Sequence, residues 1–103
     1  MIRKYVCRSF TSKTKSSFNG LGLPLWMINC LKSKNIYYPT RIQQKSLQAF
    51  KMNNNNINDI IIQDLTGSGK TLAYLLPLMN SINPNNHALQ AIIITPTREL
   101  ATQ

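Results

Sequence analysis

One stretch, Gly67-Ser68-Gly69-Lys70-Thr71, narrows the possible folds of this chain more than any other. Glycines at alternate positions let the backbone double back, so that successive N–H groups converge on one point. That point suits phosphate oxygens, with the Lys70 ammonium in reach of terminal phosphates and the Thr71 hydroxyl able to ligate an accompanying magnesium ion. The chemistry needs a strand before the loop and a helix after it, the helix adding the positive end of its dipole. Ile57 to Ile62 is a short apolar run rich in β-branched residues, which predicts a strand buried in a parallel sheet. Leu72, Tyr74, Leu75, Leu76 and Met79 predict the helix, with Pro77 a kink inside it costing ~3 kcal/mol. A Gly/Ser turn that merely carries a lysine is the alternative, and the flanking strand and helix weigh against it. Asp64 stands where the general phosphate-loop pattern has its first glycine, six residues before the lysine. A carboxylate there repels a polyphosphate unless it is paired or turned away.

Upstream, Pro24 suits the first turn of a helix carrying Leu25, Ile28 and Leu31, with Lys32 and Lys34 near its end. Tyr37-Tyr38-Pro39 reads as an extended link. Thr40 caps a second helix through Ile42, Leu47 and Phe50, which fades in the run Asn53–Asn56. That run is compositional bias in a loop. Downstream, the polar segment Asn83-Pro84-Asn85-Asn86-His87 precedes a second buried strand at Ala91–Thr95, and Pro96 to Leu100 opens a last helix. Strand, loop, helix, strand, helix is the order of an open α/β sheet.

Charge divides the chain. Residues 1–58 hold ten basic residues and no acid, whereas the remainder holds Lys70 and Arg98 against Asp59, Asp64 and Glu99. A basic half of this kind suits a phosphate-rich partner or a targeting function. Within residues 1–17, Ile2, Val6 and Phe10 share a helical face with Lys4 and Arg8 opposite. That is the composition of a mitochondrial transit peptide, and it lacks the apolar core of a secretory signal. The other reading is a solvated basic tail, with a nuclear or cytoplasmic location. No apolar run approaches the ~18 residues of a membrane helix, so no membrane partner is expected. Cys7 and Cys30 lack metal-ligand or redox spacing, so no disulfide partner is expected either.

The segment Pro39-Thr40-Arg41-Ile42-Gln43 admits two readings. Thr40 and Gln43 make a capping box, in which two side chains satisfy backbone donors at a helix start. Gln43 also offers one acceptor and two donors, the pattern of an adenine edge, and an aromatic such as Phe18 suits stacking on the ring.

With the phosphate loop beside it, Pro39–Gln43 resembles the Q motif of the DEAD-box RNA helicases. Thr66–Thr71 is similar to their motif I, and Pro96-Thr97-Arg98-Glu99-Leu100-Ala101 to their motif Ia. Leu72–Leu78, with Pro77, looks like the helix that follows motif I, and Phe18 takes the place of the isolated aromatic before the Q motif. The resemblance runs from Phe18 to Gln103. It implies an α/β fold, part of a RecA-like P-loop open parallel sheet with flanking helices. The implied divisions are a leader at 1–17, a Q-motif region at 18–44 and an incomplete ATP-binding domain at 45–103. It implies ATP and Mg2+ as cofactors. Nucleotide contacts then fall on Phe18, Gln43, Asp64, Leu65, Thr66, Gly67, Ser68, Gly69, Lys70 and Thr71, with Thr71 also on the metal. Pro96, Thr97 and Arg98 would touch an RNA backbone without reading sequence, a role that a helix N-terminus with an arginine suits.

Departures from the pattern matter as much. Asn35 and Ile36 replace the usual glycine and aromatic, with Tyr37 a substitute aromatic, and Asn tolerates left-handed backbone angles. Asp64 replaces the usual alanine. None of the three acids forms an Asp-Glu-Ala-Asp run, so these residues are not expected to complete phosphoryl transfer alone. In the family's sheet later strands lie between the phosphate-loop strand and the one leading to motif Ia. Ile60–Ile62 and Ile92–Ile94 are therefore expected to expose unpaired edges, and the chain to be marginal and prone to aggregate. Other readings are a non-catalytic basic module that holds RNA or a protein, a non-functional remnant, and a different P-loop NTPase. The last leaves Pro39–Gln43 unexplained.

Overall fold

A computed structural model describes residues 4–9, 16–52 and 59–103. The Asn53–Asn56 run, and Ile2 and Phe10 of the leader, lie outside these residues. Helix α1 (Leu25–Ser33) turns Met27, Ile28 and Leu31 inward, with Pro24 as its extended N-cap residue. Leu25, expected inside, is exposed, because Met27 takes the inward position beside Ile28. At the other end the N–H groups of Lys34 and Ile36 both donate to the Leu31 carbonyl. Between them Asn35 takes φ 60°, the left-handed conformation that closes a helix.

Helix α2 (Arg41–Met52) is the spine of the molecule. Its buried residues Ile42, Gln43, Ser46, Leu47 and Ala49 serve two apolar clusters. Leu47 joins Phe18, Met27, Ile28, Leu31 and Leu76 in one. Ile42 and Ala49 join Cys7 and Ala73 in the other, with Ile60 and Ile62 packed against them.

Among the described residues the sheet has two strands, β1 (Lys4–Ser9) and β2 (Asp59–Asp64), paired in parallel from Lys4 opposite Asp59 to Ser9 opposite Asp64. This overturns the helical reading of the leader over these residues. Cys7 faces the buried cluster while Val6 and Arg8 face out, a period of two rather than of a helix. It also corrects in part the expectation of an unpaired phosphate-loop strand, since β1 takes one edge of β2 while no described strand takes the other. Burial on both faces of β2 is not found. Ile60 and Ile62 are partly covered by the helices, and Ile61 between them is exposed, because the described helices lie on one face only.

Helix α3 (Lys70–Ser81) runs through Pro77, which is buried. Proline has no N–H for the carbonyl four residues back, that of Ala73. The Ser46 hydroxyl on α2 donates to that carbonyl instead. The predicted strand at Ala91–Thr95 has no regular structure. A strand needs a neighbour to hydrogen-bond, and none is described beside it. Helix α4 (Arg98–Thr102) is exposed throughout and packs on no other described element. The α/β character and a parallel sheet are as the sequence predicts and consistent with part of a RecA-like sheet, although the strand beside β2 is β1, which the sequence suggests as a helix. No helix among the described residues is long and apolar enough to cross a membrane.

Candidate functional site

β2 ends at Asp64, the chain turns through Thr66, Gly67 and Ser68, and α3 begins at Lys70. The turn is possible because Gly67 and Gly69 take φ 78° and 90°, angles that side chains other than glycine's rarely adopt. Gly69 is the N-cap of α3 and has no side chain to cap it. The first-turn amides of a helix have no acceptor within it, so the positive end of α3 is left for an anion. The Ser68 hydroxyl is buried without a hydrogen-bond partner among the described residues, at the place where a phosphate oxygen would accept from it. These residues fit a polyphosphate. Lys70 Nζ donates to the carbonyls of Asp64 at 2.8 Å and Leu65 at 2.7 Å, which holds the ammonium against the loop. The Asp64 carboxylate accepts from the Leu65 N–H at 2.8 Å and so is turned toward its own backbone. Thr71, next on the helix, is partly buried.

Gln43 does two jobs with one side chain. Its Oε1 accepts from the Thr40 N–H at 2.9 Å, and its own N–H donates to Thr40 Oγ1 at 3.4 Å, which completes the capping box. Its Nε2 donates to the Gly69 carbonyl at 3.1 Å. A buried amide thus ties the start of α2 to the cap of α3. Beside it lies a cavity of about 220 Å³ lined by Asn35, Ile36, Tyr37, Tyr38, Thr40, Gln43 and Leu72. Phe18 is not part of that wall. It is 2% exposed in the core between Met27, Ile28, Leu31, Leu47 and Leu76, where its ring has no free face for stacking. The aromatic surface at the cavity belongs to Tyr37 and Tyr38, the former donating its hydroxyl to Asn35 Oδ1 at 3.3 Å.

Pro96, Thr97 and Arg98 stand apart from this group. Thr97 caps α4, its Oγ1 accepting from the Leu100 N–H at 3.3 Å, and all three residues are exposed. The structure therefore brings Gln43 and the Asp64–Thr71 loop together and leaves Thr97 and Arg98 on a separate short helix. Sequence reasoning missed the bonds of Lys70 to the loop carbonyls and the one from Gln43 to Gly69. The second joins residues 26 positions apart, which no local pattern marks.

A profile described as DEAD/DEAH box helicase matches residues 40–103 of the chain. DEAD-box ATP-dependent RNA helicase RhpA of Helicobacter pylori is 42% identical over 89 residues, 86% of this chain and 17% of that protein. ATP-dependent rRNA helicase SPB4 of Chaetomium globosum is 41% identical over 98 residues, 88% of this chain and 15% of its own length. Probable ATP-dependent RNA helicase MJ0669 of Methanocaldococcus jannaschii is 42% identical over 87 residues, 84% and 23% of the two chains. The chain thus spans less than a quarter of each of these relatives. No solved structure matches it at a significant level.

Proposed function

The chain belongs to the DEAD/DEAH box helicase family, and from that premise we propose that it binds magnesium-ATP and contributes to an RNA-binding surface. The reading puts the phosphates on the loop Thr66–Gly69, with Lys70 leaving the carbonyls of Asp64 and Leu65 to meet them and Thr71 holding the metal. The base lies in the cavity walled by Ile36, Tyr37 and Tyr38, at the edge of Gln43. Bound magnesium would neutralise phosphate charge, and the chain's own residues bind and orient. The three acids of these 103 residues are Asp59, Asp64 and Glu99. None lies in a run suited to activating water, so binding without completed hydrolysis is the activity proposed for them.

The observation that carries this reading is the Gln43 to Gly69 hydrogen bond, which links a base-sized cavity to the cap of a phosphate-binding helix. Arg98 and the Thr97 cap are proposed to contact RNA phosphates, which carries no sequence preference. We also propose a mitochondrial address for residues 1–17 on their basic, acid-free composition alone, with the leader retained because β1 lies within it; the location of a fluorescent fusion of these residues tests it.

Titration of the full chain with a fluorescent N-methylanthraniloyl-ATP and Mg2+ tests the nucleotide site. Lys70→Ala removes a charged donor, worth ~1.5–3 kcal/mol, and should weaken binding at least about tenfold. Equal binding by parent and variant would overturn the proposal.

A further inference from the structure

The parallel register carries β1 to the same edge of the sheet as β2, with Arg8 beside Gln63 and Ser9 beside Asp64. Ligands of open α/β sheets bind outside this carboxyl edge. Arg8, Gln63, Asp64 and Leu65 line a cavity of about 240 Å³ there. Asp64 and Leu65 are also the two residues whose carbonyls accept from the Lys70 ammonium. Arg8 therefore lines a cavity with the two residues whose carbonyls hold the Lys70 ammonium. The strand that brings Arg8 is anchored. Lys45 Nζ on α2 donates to the Arg8 carbonyl at 2.6 Å, and the preceding residue, Cys7, is buried against Ile42, Ala49 and Ala73.

Charge gives this placement its meaning. Asp64 brings a carboxylate to the loop entrance, and nothing on β2 or α3 near it except Lys70 is cationic. We infer that Arg8 is a phosphate-binding residue of the nucleotide site, contributed by the leader strand, which offsets Asp64 and contacts the terminal phosphate of a bound nucleoside triphosphate. The planar guanidinium suits the role because it presents paired donors to phosphate oxygens. The inference rests on the nucleotide reading above. It makes docking of β1 a determinant of affinity, so that a chain with its leader displaced binds nucleotide more weakly.

The test is titration of the full chain with the same fluorescent ATP analogue and Mg2+, with the alkylation rate of Cys7 reporting whether β1 stays docked. Arg8→Gln should weaken binding about tenfold, as loss of a charge-assisted hydrogen bond does. The defect should shrink in about 0.5 M salt, where exposed charges are screened. Asp64→Asn should tighten binding, and Arg8→Gln with Asp64→Asn should return close to the parent affinity. A role limited to holding the strand would show no such rescue. Should Arg8→Gln expose Cys7, Arg8→Lys is measured instead. It keeps the charge without the paired donors and should bind a few-fold more weakly, the defect again shrinking in salt. Binding by the undisturbed variant within twofold of the parent, while Lys70→Ala abolishes it, overturns the role of Arg8 and leaves the nucleotide site standing. Binding that ignores Lys70→Ala removes both.

Discussion

At φ 90° Gly69 holds a conformation that costs other residues ~1–3 kcal/mol, and a Cβ there would also fall 2.5 Å from Gln43 Nε2. Gly67, at φ 78°, has nothing among the described residues within 4 Å of its missing Cβ. Gly67→Ala should therefore cost the backbone strain alone, whereas Gly69→Ala should add displacement of Gln43 and of its bond to the loop. Nucleotide titration should rank Gly69→Ala as the weaker binder, by about tenfold or more for each ~1.4 kcal/mol of added cost. Equal defects would mean that the Gln43 link is dispensable. A second residue-scale consequence concerns Ser46. Its hydroxyl serves the Ala73 carbonyl that Pro77 leaves without a donor, and a buried carbonyl without a partner costs ~1–3 kcal/mol. Ser46→Ala should lower the exchange protection of α3 amides by that amount. In a Pro77→Ala background the new N–H reaches Ala73, and the same substitution should then cost little. Hydrogen exchange on the four proteins measures the coupling. The glycines and the capping box were legible because each is a local pattern with a local geometric cause. Phe18 was not, since a lone aromatic reads the same whether it stacks on a base or fills a core. Only the 2% exposure decides for the core.

Among the elements, β1 departs furthest from what its sequence suggests. Lys4–Ser9 is six residues long, too short for a helical and an alternating pattern to be told apart. Its partner lies 55 positions away, as in Lys4 opposite Asp59, so the pairing that settles its conformation is invisible to any local window. The segment Ala91–Thr95 shows the reverse. Its β-branched run has strand propensity, yet propensity without a neighbouring strand leaves its backbone groups to solvent. The helices were legible because capping residues and apolar spacing mark both their ends and their buried faces, and Asn35 at φ 60° stops α1 as a glycine would. Docking of β1 can be read chemically. Cys7 is buried and Cys30 exposed, both as free thiols. Burial pushes the Cys7 thiol above its ordinary pKa, against a smaller opposing pull from Lys45. Alkylation needs the thiolate, so a raised pKa and steric cover act in the same direction. Near pH 8 iodoacetamide should modify Cys30 well before Cys7, by at least about tenfold, as site-resolved mass spectrometry would show. Comparable rates would mean that β1 is not held on β2 in solution.

At the scale of the whole molecule, two small cores share one helix, and much apolar surface finds no cover among the described residues. Ile92 is 71% exposed and Ile94 90%, and neither belongs to either cluster. On the open face of the sheet, Val6 and Ile61 stand opposite each other and are both exposed. Large apolar side chains exposed in this number mark surfaces at which chains associate. The run Ala91-Ile92-Ile93-Ile94-Thr95 combines β-propensity with the absence of charge, the composition that adds strand to strand between copies. The formal charge of +9 opposes association at low salt, and that protection weakens as the Debye length falls to about 10 Å near 0.1 M salt. Light scattering from the full chain should accordingly rise with salt. Ile92→Lys with Ile94→Lys interrupts the run at two positions that carry no core contacts. The double variant should suppress the scattering while leaving Cys7 as protected as in the parent, because the surfaces that self-associate and those that hold β1 are different. Scattering that persists in the variant would move the fault to the open face of β1 and β2, where Val6 and Ile61 are the next residues to charge.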